Sequence, residues 1–332
     1  MTQARDSRSL DLRQVPFTLV DAGESSLAHR VVGQGPDVVL VHGWPLHSMT
    51  WRHVVPVLAK HFRCHVFDMP GAGDTKVTAA TRFRVDTHAQ ALRRAIDAVG
   101  IERFALVGHD SGSAIARYVA AALGERVWAN VVSGSEIPKH HPLLLKVLLT
   151  LGKLPGGAAA MRTTLASPTL RRSIFGWGAC FHDVSRAEGE FHQLFGEPLV
   201  SDERAFRGQM GLAAEFDWAL VDGLEGAHAR ITGPTLLLWG DRDPYFPAAK
   251  ARAMGSQFAG GAKFVSYPDA RLFVHEEHPE RFAAEVASFL TPLAPRVNGN
   301  ATDPALIDHA EISARASAGS TCPARASTRK LA

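Results

Sequence analysis

The chain has 332 residues, 46% of them hydrophobic and 21% charged, with a formal charge of +3. That length holds one large domain with an insertion or two ordinary domains, and the composition is that of a globular protein with a sizeable core. The charge is small and no Lys/Arg run stands out, so a nucleic-acid partner is not expected.

The opening MTQARDSRSLDLRQ lacks the apolar run of a secretory signal, and residues 1–15 read as a flexible leader. Cys64, Cys180 and Cys322 form no disulfide or metal pattern, which makes a reducing cytoplasm the expected compartment. Strands are predicted near 16–21 and 27–33, then in DVVLVHG, a short apolar run typical of a buried parallel strand. A helical pattern, WRHVVPVLAKHF, leads to a buried strand in RCHVFDM, the turn PGAGDT and a helix over 82–99. RFALVGHD runs straight into the helix SGSAIARYVAAAL, and VWANVVSGS follows as a further strand.

From 137 to 231 the alternation stops, and this segment reads as an inserted helical cap. Its most apolar stretch, HPLLLKVLLTLGKLPGG, is interrupted by Lys146 and Lys153 and is too short to span a bilayer. It reads as an ordinary core helix, with an amphipathic spacing that would also suit a lid or a partner face. The alternation resumes with PTLLLWG, a helix around 247–258, the strand AKFVSYP and the helix PERFAAEVASFL. The fold class is therefore α/β, a mostly parallel sheet flanked by helices, with a core of 16–136 and 232–292. Residues 293–332 read as a polar, disordered tail.

The most informative motif is GHDSG at 108–112, between an apolar strand and a helix. Small residues on both sides permit a sharp turn that exposes the middle side chain, Asp110. A turn centred on Ser111 would need a small residue at His109. A carboxylate attacks carbon without first losing a proton, so Asp110 could displace a halide or open an epoxide, forming an alkyl ester. Its plain structural reading is a helix N-cap.

These landmarks resemble the α/β-hydrolase superfamily, specifically the aspartate-nucleophile branch of haloalkane dehalogenases, haloacetate dehalogenases and epoxide hydrolases. The resemblance covers roughly 16–292: HGWP at 42–45, DMPGAGDT at 68–75, GHDSG, and LLLWGDRDPYFP. It implies that the Trp44 and Ser111 amides stabilise developing negative charge. The Trp44 indole would be either a halide donor or part of the wall, and His42 a support for the loop. It also implies a supporting acid at Asp243 or, in the alternative position, at Glu136, with Asp241 capping the loop.

The resemblance breaks at PDARLFVHEEHPE. Arg271 and Leu272 stand where the family has glycine and histidine, with the downstream register intact. Three readings follow: His275 substitutes as base, a carboxylate activates water directly, or hydrolysis is lost and the protein binds or rearranges a ligand. His275 and His278 also fit a solvated helix start, and HEEH lacks the HExxH zinc spacing, so no metal or cofactor is expected.

For substrate, the family's cap tyrosines are missing: Tyr118, Tyr245 and Tyr267 all lie outside 137–231. Ser111 and Ala114 replace the residues that mark the two dehalogenase branches. The expected pocket is apolar, with His109, Trp177, Trp218 and Leu272 as lining candidates and His182 as a further donor. The expected partner is a small apolar organic substrate, with no membrane; the oligomeric state is left open.

Overall fold

A computed structural model describes residues 10–295. Nine strands form one sheet: β1 (Thr18–Asp21), β2 (Ser25–Val32), β3 (Asp37–Val41), β4 (Arg63–Phe67), β5 (Lys76–Val77), β6 (Phe104–His109), β7 (Val127–Ser133), β8 (Thr235–Gly240) and β9 (Ala262–Tyr267). The order is β1-β2-β4-β3-β6-β7-β8-β9, with β5 beside β2. β2 is antiparallel to β1, β4 and β5, and all pairs from β4 to β9 are parallel. β3, β6, β7 and β8 are almost wholly buried, as apolar runs covered by helices on both faces must be.

The register sets the site. Val41 pairs with Gly108, His109 with Ser133, and Ser133 with Leu238. The loops that follow β3, β6, β7, β8 and β9 therefore leave the same edge of the sheet, where ligands of open α/β sheets bind. They carry Trp44, Asp110, Glu136, Asp243 and Leu272.

Helices Val85–Ala98, Ser111–Leu123 and Pro279–Leu290 bury one apolar face each against the sheet. The continuous helix expected over 51–62 is instead a 3₁₀ turn, Ser48–Trp51, and a short helix, Val55–Leu58. Pro56 explains the break, because it has no N–H for the carbonyl one turn back. The two-residue β5 was not expected.

Between β7 and β8 the chain forms helices Leu143–Lys153, Gly157–Ala166, Pro168–Arg171, Glu197–Ser201, Glu203–Ala214 and Trp218–His228. Leu143–Lys153 is not the core helix expected: Leu149 is its only buried residue. At the N-terminus the leader does not stay free as far as 15. Asp11 caps the turn Leu12–Gln14, and Leu12 is fully buried. The rest of the leader, and the tail beyond Pro295, lie outside the described residues.

Candidate active site

Asp110 ends β6 with φ 51° and ψ −133°, a conformation that is strained for a residue with a side chain. The neighbouring glycines make the turn possible. A Cβ on Gly108 would lie 2.6 Å from the Ser113 Cα, and one on Gly112 would lie 2.2 Å from the His42 carbonyl oxygen. From below, Ser135 Oγ donates to the Asp110 carbonyl at 2.8 Å. The turn thus holds the carboxylate up at the sheet edge.

Two backbone amides act on that carboxylate. Trp44 N–H donates to Asp110 Oδ2 at 2.9 Å, and the Ser111 amide at the start of the next helix also favours the ionised carboxyl. The Trp44 loop approaches so closely that a Cβ on Gly43 would fall 2.5 Å from Asp110 Cβ. His42 braces this loop: Met69 N–H donates to its Nε2 at 2.9 Å, leaving Nδ1 as donor to the Gly43 carbonyl at 3.0 Å. The Trp44 indole donates to the Gln209 carbonyl at 2.7 Å, and Gln209 Nε2 reaches back to the Leu46 carbonyl at 2.8 Å. The indole is therefore engaged with helix Glu203–Ala214 and does not face a halide.

Burial, followed by the nearby Glu136, raises Asp110 well above the usual carboxylate range; the two amides pull the other way and Asp243 adds to the rise. Asp243 Oδ1 accepts from the Tyr245 and Phe246 amides at 2.8 and 3.0 Å, while its buried Oδ2 has no partner. Burial pushes its carboxyl up to about 7 despite those amides. Glu136 accepts from Ser135 Oγ at 2.8 Å and lies 3.9 Å from the Arg117 guanidinium. Both acids expected from the sequence therefore stand close enough for their charge to bear on Asp110.

His275 belongs to a different cluster. Its Nε2 is 2.6 Å from Thr50 Oγ1, and its ring packs against Trp51 and His109. Thr50 in turn donates to Glu276, which pairs with Arg52 at 2.8 Å. Burial holds the imidazole well below its ordinary value, and the charges acting on it are those of His109, Arg52 and His53. No carboxylate of the elbow group is among them.

His109 is fully buried, its Nε2 3.2 Å from the Leu272 carbonyl, and burial lowers its pKa to about 3. Leu272 lies in the core with its backbone against Gly134. Trp177 stacks edge-on with Phe191, and Trp218 packs beside His141 and Phe216 under Lys146. His182 gives its amide to Glu277 at 2.7 Å.

Two cavities border this region, and neither is lined by His109, Trp177, Trp218 or Leu272. One of about 20 Å³ lies between Trp44, Ser111, Gly208 and Leu212, enough for a water but not for a substrate. The other, about 400 Å³, lies between Arg30, Pro45, His47 and Leu199.

Three residues not singled out in the sequence stand at the site. The Cys180 thiol is raised first by burial and then by Asp110 and Asp243. The Tyr245 phenol is raised by burial and then by Cys180, Asp243 and Asp110, so it stays a proton donor. Arg117, wholly buried under the elbow, donates to Ser113 and Glu136 carbonyls and to Ser135 Oγ. Only the helix spacing from Asp110 could have pointed to Arg117; nothing local marks the other two.

The fold described above is shared with known proteins. A family profile described as alpha/beta hydrolase fold matches residues 36–175. The chain has an α/β-hydrolase fold. It is similar to haloalkane dehalogenase 2 of Mycobacterium tuberculosis strain H37Rv, at 25% identity over 76% of this chain and 87% of that one. It is also similar to the pimeloyl-[acyl-carrier protein] methyl ester esterase of Aeromonas hydrophila, at 26% identity over 78% and 96%. Among solved structures, the epoxide hydrolase CorEH superposes with a TM-score of 0.70 at 20% identity, covering 84% of this chain and 99% of that one. The α/β-hydrolase fold is thus common to relatives with different chemistries, and side chains must decide among them.

Proposed function

We propose that this α/β-hydrolase-fold protein is a hydrolase in which Asp110 attacks a carbon–halogen bond or an epoxide. The observation that carries this reading is the Asp110 carboxylate on a strained elbow, receiving the Trp44 amide. Ser111 begins the helix instead of occupying the turn. The haloalkane dehalogenase and epoxide hydrolase likenesses support the same chemistry; the esterase likeness is opposed by the carboxylate at the elbow.

In the first step ionised Asp110 bonds through an oxygen to substrate carbon; a halide leaves with its electron pair, or an epoxide C–O bond breaks to an alkoxide that stays on the substrate and takes a proton from water. Water then attacks the ester carbonyl carbon. With Leu272 in place of a base and His275 held by Thr50, the unpartnered Asp243 Oδ2 is the group suited to take the water proton. Trp44 and Ser111 amides stabilise the oxyanion. The alcohol departs with the proton from Asp243, and the acid proton left on Asp110 passes to solvent. The substrate class is a small apolar organic molecule.

A second reading, a ligand-binding protein without turnover, is favoured by one observation: Leu272 can take no proton. Intact-protein mass spectrometry after incubation with haloalkanes and epoxides separates the two. A covalent adduct, or steady release of halide or diol, supports the hydrolase. Absence of both across the panel excludes it and leaves the binding protein.

A further inference from the structure

Helix Leu143–Lys153 and the segment after it expose an apolar surface that nothing else in the fold covers. Leu143 is 76% exposed, Val147 38%, Leu151 48% and Leu154 52%. Leu143, Val147 and Leu151, spaced four apart, share one face of the helix, and Leu154 follows just past its end. The opposite face, through Leu144, Leu145, Leu148 and Leu149, packs onto the protein. After a bend of 116° comes helix Gly157–Ala166, and beyond it Leu170, Ile174 and Phe175 add further exposed apolar side chains. No single helix among the described residues is long and apolar enough to cross a membrane.

The charge around this surface is one-sided. Residues 137–182 contain six Lys and Arg and no Asp or Glu. Glu203 and Glu188 neutralise Arg162, Arg171 and Arg172, and Glu225 pairs with Lys139. Lys146 and Lys153 are exposed and have no carboxylate partner among the described residues. They lie seven residues apart, one at mid-helix and one at its end, beside the apolar row.

We propose that this face docks peripherally on a bilayer surface rich in anionic lipid. The apolar row would enter the headgroup boundary while Lys146 and Lys153 meet phosphate, the arrangement of an interfacial helix. Charge argues against the other occupants. A second copy of the chain would bring the same unpaired lysines together with no acid between them. The 37 residues after Pro295 carry five Lys and Arg against three acids, so they do not complement the face.

The test uses the full chain in vesicle sedimentation. Vesicles of phosphatidylcholine with phosphatidylglycerol should carry the protein down, and pure phosphatidylcholine should not. Leu143→Asp with Leu151→Asp, both at exposed positions, should abolish binding without changing the circular dichroism spectrum. Lys146→Glu with Lys153→Glu should weaken it about tenfold or more. No binding to the anionic vesicles overturns the proposal, as does unchanged binding of the leucine variant. So does a dimer in light scattering that the leucine variant turns into monomer.

Discussion

The elbow at Gly108–Gly112 and the loop at Ala270–Glu277 leave the same sheet edge, and they have been treated differently by their sequences. At the elbow every steric condition is met: small residues where backbone crowds, a strained Asp110, and the Trp44 amide on its carboxylate. The loop keeps an equally constrained backbone. Gly134, with φ +37°, would place a Cβ 2.7 Å from the Leu272 carbonyl oxygen, and that carbonyl is tied to His109. The side chain at position 272 can accept no proton, and backbone bonds and packing hold the loop independently of it. The consequence is electrostatic: Asp110 and Asp243 share a buried site without a neighbouring imidazolium, and both are held above the ordinary carboxylate range.

The strongest way to break this contrast is Asp110→Asn. The amide cannot form the ester, so adduct in the mass spectrum should vanish and any turnover should fall by roughly a thousandfold or more. An adduct that persists in this variant would show that the reactive group lies elsewhere.

Asp243→Asn should move activity and stability in opposite directions. The water step loses its base, so adduct should accumulate. For stability, the folded pKa of about 7 lies above the ordinary aspartate value of 3.8. Between those values the folded protein retains a proton that the unfolded chain has released, so stability falls as pH rises through that window. Removing the carboxyl should therefore raise stability at pH above 7, by at most on the order of 4 kcal/mol, and change little near pH 4. Thermal melts of both proteins across this range check it; equal pH dependence in the two would contradict the assignment.

What the sequence disclosed divides along similar physical lines. Helices Ser111–Leu123 and Pro279–Leu290 were predicted to the residue, because strand-to-helix turns and a proline start are local signals. That Asp110, Trp44 and Asp243 lie at one sheet edge was legible because each sits in a motif at a strand end. Cys180 and Tyr245 reach the elbow only through long-range packing: the Cys180 carbonyl accepts from Phe273 N–H, and Tyr245 follows from how the loop after β8 turns. The Leu143–Lys153 helix was misjudged because hydrophobicity reports what a segment would gain by burial, not whether a neighbour exists to bury it.

Leu272→His would sharpen the contrast by restoring the missing group on an unaltered backbone. An imidazole at 272 should speed ester hydrolysis by about a hundredfold. Its protonated form would also favour the ionised carboxyls, so the rising limb of the pH–rate profile should move to lower pH. Single-turnover halide or diol kinetics read both effects. No gain would mean that the elbow side of the site has also drifted from catalytic geometry.

The smallest effect belongs to His275→Ala, which separates a structural imidazole from a substitute base. The ring fills space between Trp51, His109 and Phe282, and holds Thr50 within the Glu276–Arg52 network. Truncation should cost about 2 kcal/mol of stability, from the lost packing and the lost His275–Thr50 hydrogen bond. Adduct formation and its hydrolysis should keep their rates at temperatures where the variant stays folded. A denaturant titration gives the first quantity and single-turnover kinetics the second. Loss of ester hydrolysis with attack intact would return His275 to the reaction, because a residue confined to the Thr50 cluster has no route by which to slow the second step alone.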